Sequence, residues 1–130
     1  AVGRGLAAAR IEFIDCRLTG LKAMECHWQD TLIEGCEGRY AQFTDSALEA
    51  SEWRRCGLRE SDFRGARLEG AQFAGCDLRQ SDFTGARLKG ADLRGAEIEA
   101  LTARGEDLRG AIIAPAQAIE LARLFGLVVR

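Results

Sequence analysis

Five cysteines and one histidine are the residues best suited to nucleophilic, redox or metal chemistry in this 130-residue chain. Cys16, Cys26, Cys36, Cys56 and Cys76 stand ten or twenty residues apart, and none has the CxxC spacing of a zinc site. His27 directly follows Cys26. On an extended chain neighbouring side chains leave by opposite faces, so those two cannot share a metal. The stretch GRGLAA at Gly3–Ala8 has the glycine spacing of a dinucleotide fingerprint, but no strand precedes it and no helix with a following acid comes after it. No GxSxG or HExxH motif is present. The cysteines are therefore expected to behave as small buried hydrophobes, reduced and unpaired, and His27 as a solvated surface residue. No catalytic residue, cofactor or metal is expected.

The position of those cysteines leads to the elements that carry them. Counting in fives from Phe13 to Ile113, 18 of 21 residues are large and apolar, without an insertion. Two places earlier in each unit, 17 of 21 residues are Ala, Ser, Thr or Cys, and every cysteine falls there. Residues two apart on an extended segment point the same way, so each unit sends one small and one large side chain inward. Two places after the large residue, ten of the fifteen glycines mark a corner, and corners without glycine suggest that the turns vary in type.

Four such units make a coil of 20 residues. Residues 20 apart then stack: Phe43, Phe63 and Phe83 in one column; Leu48, Leu68, Leu88 and Leu108 in a second; Cys16, Cys36, Cys56 and Cys76 in a third; and Ser61 over Ser81. Gly38 leaves a gap in the column between Leu18 and Leu58, to be filled by Tyr40 or Trp53 or left as a notch. The units SDFRG, ARLEG, AQFAG, CDLRQ, SDFTG, ARLKG and ADLRG resemble the pentapeptide-repeat family over about residues 11–113. That resemblance implies an all-β solenoid, a right-handed quadrilateral parallel β-helix. Its hand agrees with the preference of parallel crossovers. About five coils at roughly 4.8 Å each give a rod about 25 Å long.

The flanks differ from the repeat. Residues 1–10 are expected to be irregular, whether folded over the first coil or cut from a longer chain. Within residues 114–130, Pro115 suits a first helical position. They read as a helix over residues 116–125, a stop at Gly126 and an extended tail or terminal strand at Leu127–Val129. Ala118, Leu121, Ala122 and Phe125 would lie over the last coil as a cap. In several members of the family such a helix builds a homodimer, which is the other reading of these four residues.

Charge restricts the function. The 18 basic and 20 acidic residues leave a net charge of −2, spread evenly along the chain, which does not suit direct nucleic-acid binding. No apolar run is long enough to cross a bilayer, and a cytoplasmic location is expected. Outward pairs such as Asp62/Arg64, Arg67/Glu69, Asp77/Arg79, Asp92/Arg94 and Asp107/Arg109 flank inward residues and make solvated, neutralised faces. Arg39, Arg59 and Arg79 share one such face. A filled rod has no concave site for catalysis. The expected role is a non-enzymatic interaction module with a protein partner. The family also implies an alternative, a mimic of duplex DNA that binds DNA gyrase or another type II topoisomerase. Duplex DNA carries about one charge per 1.7 Å, on the order of 15 charges over such a rod, which a net charge of −2 does not approach.

Overall fold

The computed structural model describes residues 2–5 and 7–130. The chain coils so that each segment pairs in parallel with the one 20 residues on. Strands β1 (Val2–Arg4) and β2 (Ala7–Ala8) pair with β4 (Lys22–Met24) and β5 (His27–Trp28). Strand β3 (Ile11–Ile14) pairs with β6 (Thr31–Glu34), and β6 with β7 (Glu52–Arg54). Beyond these, single parallel bridges carry the same offset from Arg17↔Glu37 to Asp92↔Ile112. Each extended piece is short because a corner comes every five residues.

Residues 2–4 and 7–8 belong to this ladder, so the irregular segment expected over residues 1–10 is not what forms there. Ladder bonds need only backbone groups, and AVGRGLAAAR supplies those although it has Gly3 and Ala8 where later units have large residues. Ala1 and Leu6 of that segment lie outside the described residues.

The inward positions are filled. Phe43, Phe63, Phe83, Leu48, Leu68, Leu88, Cys36, Cys56 and Cys76 are all buried, and Cys16, on the first full turn, is partly so. The phenylalanine rings lie face to face, Phe43 to Phe63 at 5.3 Å and Phe63 to Phe83 at 4.9 Å between centroids. Trp53 stacks on Phe73 in the adjacent column at 5.7 Å, and the two columns meet edge to face, Phe43 against Trp53 at 86°. Such geometry sets the positive edge of one ring on the negative face of the next. At Gly38 no notch is left: Leu58 leans in until its methyl stands 3.1 Å from where a β-carbon would be, while Tyr40 is exposed.

The corners from Asp15 to Ala100 are all left-handed at one residue, yet they vary in type as expected. Most close with a bond across the turn, such as Ala66 N–H to the Phe63 carbonyl, and those after Phe13, Ala23, Trp28, Ile33 and Trp53 have no such bond among the described residues. Glycine corners such as Gly65 have φ near +70°, and Asp45, Ala50, Glu60 and Gln80 adopt φ of +56° to +61° at equivalent places. Interlocking of each corner with the coils beside it holds even ordinary residues in the left-handed region. Ala50 has only a methyl group, with no polar atom to compensate. Ala50→Gly is therefore expected to stabilise the fold by about 1 kcal/mol, the relief of left-handed strain on an L-residue, read as a higher urea midpoint.

The ladder departs from its register at one place. Glu106 falls in the inward slot that is otherwise small or apolar. A carboxylate cannot be left unpaired there. The chain swings out as a 3-10 turn (Gly105–Leu108), which buries Asp107 in its place and leaves Leu108 only half-buried against the core. Leu108 thus does not continue the regular ladder of Leu48, Leu68 and Leu88. Helix α1 (Pro115–Leu124) closes the C-terminal end.

Candidate interaction faces and the closed end

The cysteine column is part of the frame. Cys36, Cys56 and Cys76 donate their thiol hydrogens to the carbonyls of Phe13, Ile33 and Trp53 in the neighbouring coil, at 3.3, 3.1 and 3.2 Å. Burial pushes the Cys36 thiol up. The neighbouring Cys56 thiol, together with burial, does the same for Cys76. A thiol held protonated, as at Cys36 and Cys76, is a poor nucleophile. The five cysteines are thiols, with no disulfide among the described residues. Cys26 is buried while His27 is exposed, so the two face apart. Among the described residues no cluster of His, Cys, Asp or Glu is arranged to hold a metal.

The outward faces carry ion pairs. Arg64 meets Asp62 at 2.7 Å, Arg79 meets Asp77 at 2.8 Å and Arg94 meets Asp92 at 2.8 Å. On the face of the three arginines, Arg39 reaches diagonally to Glu60 at 2.6 Å, Arg59 bonds Gln80 at 2.9 Å, and Arg79 also reaches Glu97 at 3.1 Å. Asp107 does not pair outward with Arg109. It turns inward and takes the backbone N–H and guanidinium of Arg104 at 2.8–3.0 Å. Arg67 and Glu69 form no ion pair among the described residues.

These contacts set a pH dependence. The guanidinium of Arg94 holds Asp92 down to about 2, and Arg79 and Arg104 hold Asp77 and Asp107 below the usual carboxylate range. A carboxylate depressed in the folded state stabilises it above the unfolded value, near 4, and loses that contribution as pH falls through the folded value. Thermal midpoints are expected to hold from pH 7 to about 4 and to drop between about pH 4 and 2. A flat midpoint across that window would contradict the assignment of these pairs.

At the C-terminal end, the helix face turned to the coil is not the one read from the sequence. Ala118 and Phe125 are exposed, and Leu121 and Ala122 are half-buried. The covering residues are Gln117, Leu121 and Leu124, spaced four and three apart. Gln117 is only 8% exposed and makes three bonds. Its Nε2 donates to the carbonyls of Leu93 at 2.6 Å and Ala96 at 2.9 Å, and its Oε1 accepts the N–H of Ala114 at 2.8 Å. It satisfies the Ala96 carbonyl, which an apolar residue would leave bare, and gives a second donor to the Leu93 carbonyl, which also accepts Ala96 N–H. Beyond Gly126, Leu127–Val129 form no strand, and Leu127 and Val128 are 63% and 77% exposed.

Surface clefts between outward side chains range from about 260 to 540 Å³. With a parallel ladder of period 20, a small-then-large inward pattern and left-handed corners, the architecture defines a β-helical repeat protein. The chain matches the pentapeptide repeat region family over residues 8–83, more than half its length, and belongs to that family. Solved structures agree on the fold. Pentapeptide repeat protein Rfr23 from the cyanobacterium Cyanothece 51142 is similar with a TM-score of 0.60 and 10% identity, over 85% of this chain and 90% of that one. A pentapeptide repeat protein from the thylakoid lumen of Arabidopsis thaliana is similar with a TM-score of 0.60 and 21% identity, over 85% and 77%. Comparison with curated proteins finds no match. Among the described residues no helix is long and apolar enough to cross a membrane.

Proposed function

We propose that the protein is a non-enzymatic interaction module, a four-sided right-handed coil that presents flat charged faces to a protein partner. The observation that carries this reading is the filled interior. Phe, Leu, Trp and Cys side chains occupy the inward slots from coil to coil, and the polar groups lie outward on faces fixed by the backbone ladder. Rigid faces of this kind favour binding because little side-chain or loop entropy is lost on association. The buried thiols suit a reducing, cytoplasmic compartment. A pull-down from a cytoplasmic extract with the full chain, followed by binding measured with the purified partner, tests the reading. A saturable complex is the expected result, and turnover of a substrate by the purified chain would overturn it.

The same reading includes a homodimer through the C-terminal end. Phe125, Leu127, Val128 and Val129 form an exposed apolar strip next to the helix, and such a strip costs solvation free energy in a monomer. Mass measurement in solution is expected to give twice the chain mass, with Leu127→Asp and Val128→Asp shifting it to one. The topoisomerase-mimic alternative needs an acidic stripe, and the ion pairs above neutralise the faces instead. Unchanged gyrase supercoiling at micromolar protein is the expected result of that assay.

A further inference from the structure

On one side of the rod the outward residues His27, Ala47, Arg67 and Arg87 follow one another through parallel bridges. The next member of that column is Asp107, and the bridge to it is missing because the 3-10 turn has swung away. A regular bridge consists of two bonds. At Asp82↔Thr102, for example, Thr102 N–H donates to the Ser81 carbonyl and Phe83 N–H donates to the Thr102 carbonyl, both at 2.8 Å. At Arg87 neither is made, since Asp107 N–H donates to the Arg104 carbonyl at 3.0 Å. Among the described residues, the Ala86 carbonyl and the Leu88 N–H have no hydrogen-bond partner.

Ala86 and Leu88 are among the residues that line a cleft of about 390 Å³. Glu69, also in its lining, has a buried Oε1 with no hydrogen-bond partner. Around it stand Arg87, Lys89 and Arg109, none in an ion pair among the described residues, whereas the nearby acids Glu106 and Asp107 are both held by Arg104, at 3.1 and 2.9 Å. Elsewhere on the rod, Arg39, Arg54, Arg55, Arg64, Arg79 and Arg94 are each paired. The cleft thus combines a backbone donor, a backbone acceptor, uncommitted cations and a carboxylate oxygen in want of a donor.

We infer that this cleft docks an extended acidic segment of a partner protein, one residue of which replaces the missing bridge. Its N–H donates to the Ala86 carbonyl and its own carbonyl accepts from Leu88 N–H, as a strand added to a sheet edge does. In the bridge position its side chain points outward beside Arg87, where a carboxylate meets Arg87, Lys89 and Arg109. Glu69 selects against a bare anion such as inorganic phosphate, which brings charge without backbone N–H groups to satisfy Oε1. The inference rests on the interaction-module reading and names the place and chemistry of its contact.

The test titrates the full 15N-labelled chain with the peptide acetyl-Ser-Val-Glu-Val-Ser-amide and follows the Leu88 amide by NMR. A saturable shift of Leu88 is expected. The peptide with Gln for Glu should bind about tenfold more weakly, the scale of a lost charge contact, and a peptide N-methylated at its Glu should not move Leu88. Arg87 is exposed, so Arg87→Glu should weaken binding to a similar degree while leaving the circular dichroism unchanged. An unmoved Leu88 amide at millimolar peptide, or equal binding of the Gln or N-methyl peptides, would overturn the assignment. A partner captured equally by the wild type and by R87E would leave the interaction reading standing and remove the cleft from it.

Discussion

Phe63→Ala is expected to lower the unfolding free energy by about 3–5 kcal/mol, the usual cost of deleting a buried aromatic ring. Phe63 stacks on Phe43 and Phe83 and meets Trp53 and Phe73 edge on, so one substitution removes four ring contacts at the middle of the rod. Its surroundings cannot collapse into the space, because the ladder bonds above and below fix the spacing of the coils. In a solenoid the loss falls on the two interfaces that the residue spans. Urea unfolding should show a lower midpoint, together with a broader transition if the two ends separate. Phe63→Leu should cost much less. A loss under about 1 kcal/mol for the alanine variant would mean that the cavity relaxes, and that the aromatic columns are not the rigid centre of the fold.

The second large effect is expected at the closed end. Gln117→Ala removes the donors to the Leu93 and Ala96 carbonyls and the acceptor for Ala114 N–H. Buried groups left unsatisfied cost about 1–3 kcal/mol. The same change loosens helix α1 from the coil it covers. Hydrogen exchange should accelerate first at Leu93, Ala96 and the helix, ahead of the middle of the rod. Gln117→Glu distinguishes polarity from fit: its carboxylate has the right shape but cannot donate, so at neutral pH it should be as damaging as alanine. Wild-type protection in the glutamate variant would show that the contact is one of packing alone.

The repeat was legible because its signal is redundant. A large residue every fifth place and a small one two before it point to the same inward pair, and columns such as Phe43, Phe63 and Phe83 add a second period. What depended on the backbone was harder to read. The ladder over residues 2–4 and 7–8 forms without the large side chains that mark it elsewhere. The left-handed corners at Asp45 and Ala50 look ordinary in sequence, because neighbouring coils impose that conformation. The role of Gln117 has no signal in the sequence, since nothing there shows which carbonyls of the last coil need a donor. The helix face was accordingly set one residue too far along, on Ala118 and Phe125. The displaced turn did carry a signal: Glu106 places a charge in an inward slot, and a charge there requires either a partner or an excursion. Its consequence, an inward Asp107 held by Arg104 and a ladder opened at Arg87, followed from the physical impossibility of burying Glu106 in register.

Ring-to-ring nuclear Overhauser contacts in protein carrying selectively labelled phenylalanine and tryptophan test the arrangement most directly. Contacts from Phe63 to both Phe43 and Phe83, and from Trp53 to Phe73, are the result expected of coils of twenty residues in register. Absence of these contacts, or contacts from Phe63 to rings other than Phe43, Trp53, Phe73 and Phe83, would contradict the register, and with it the filled interior and the outward faces on which the proposed function depends.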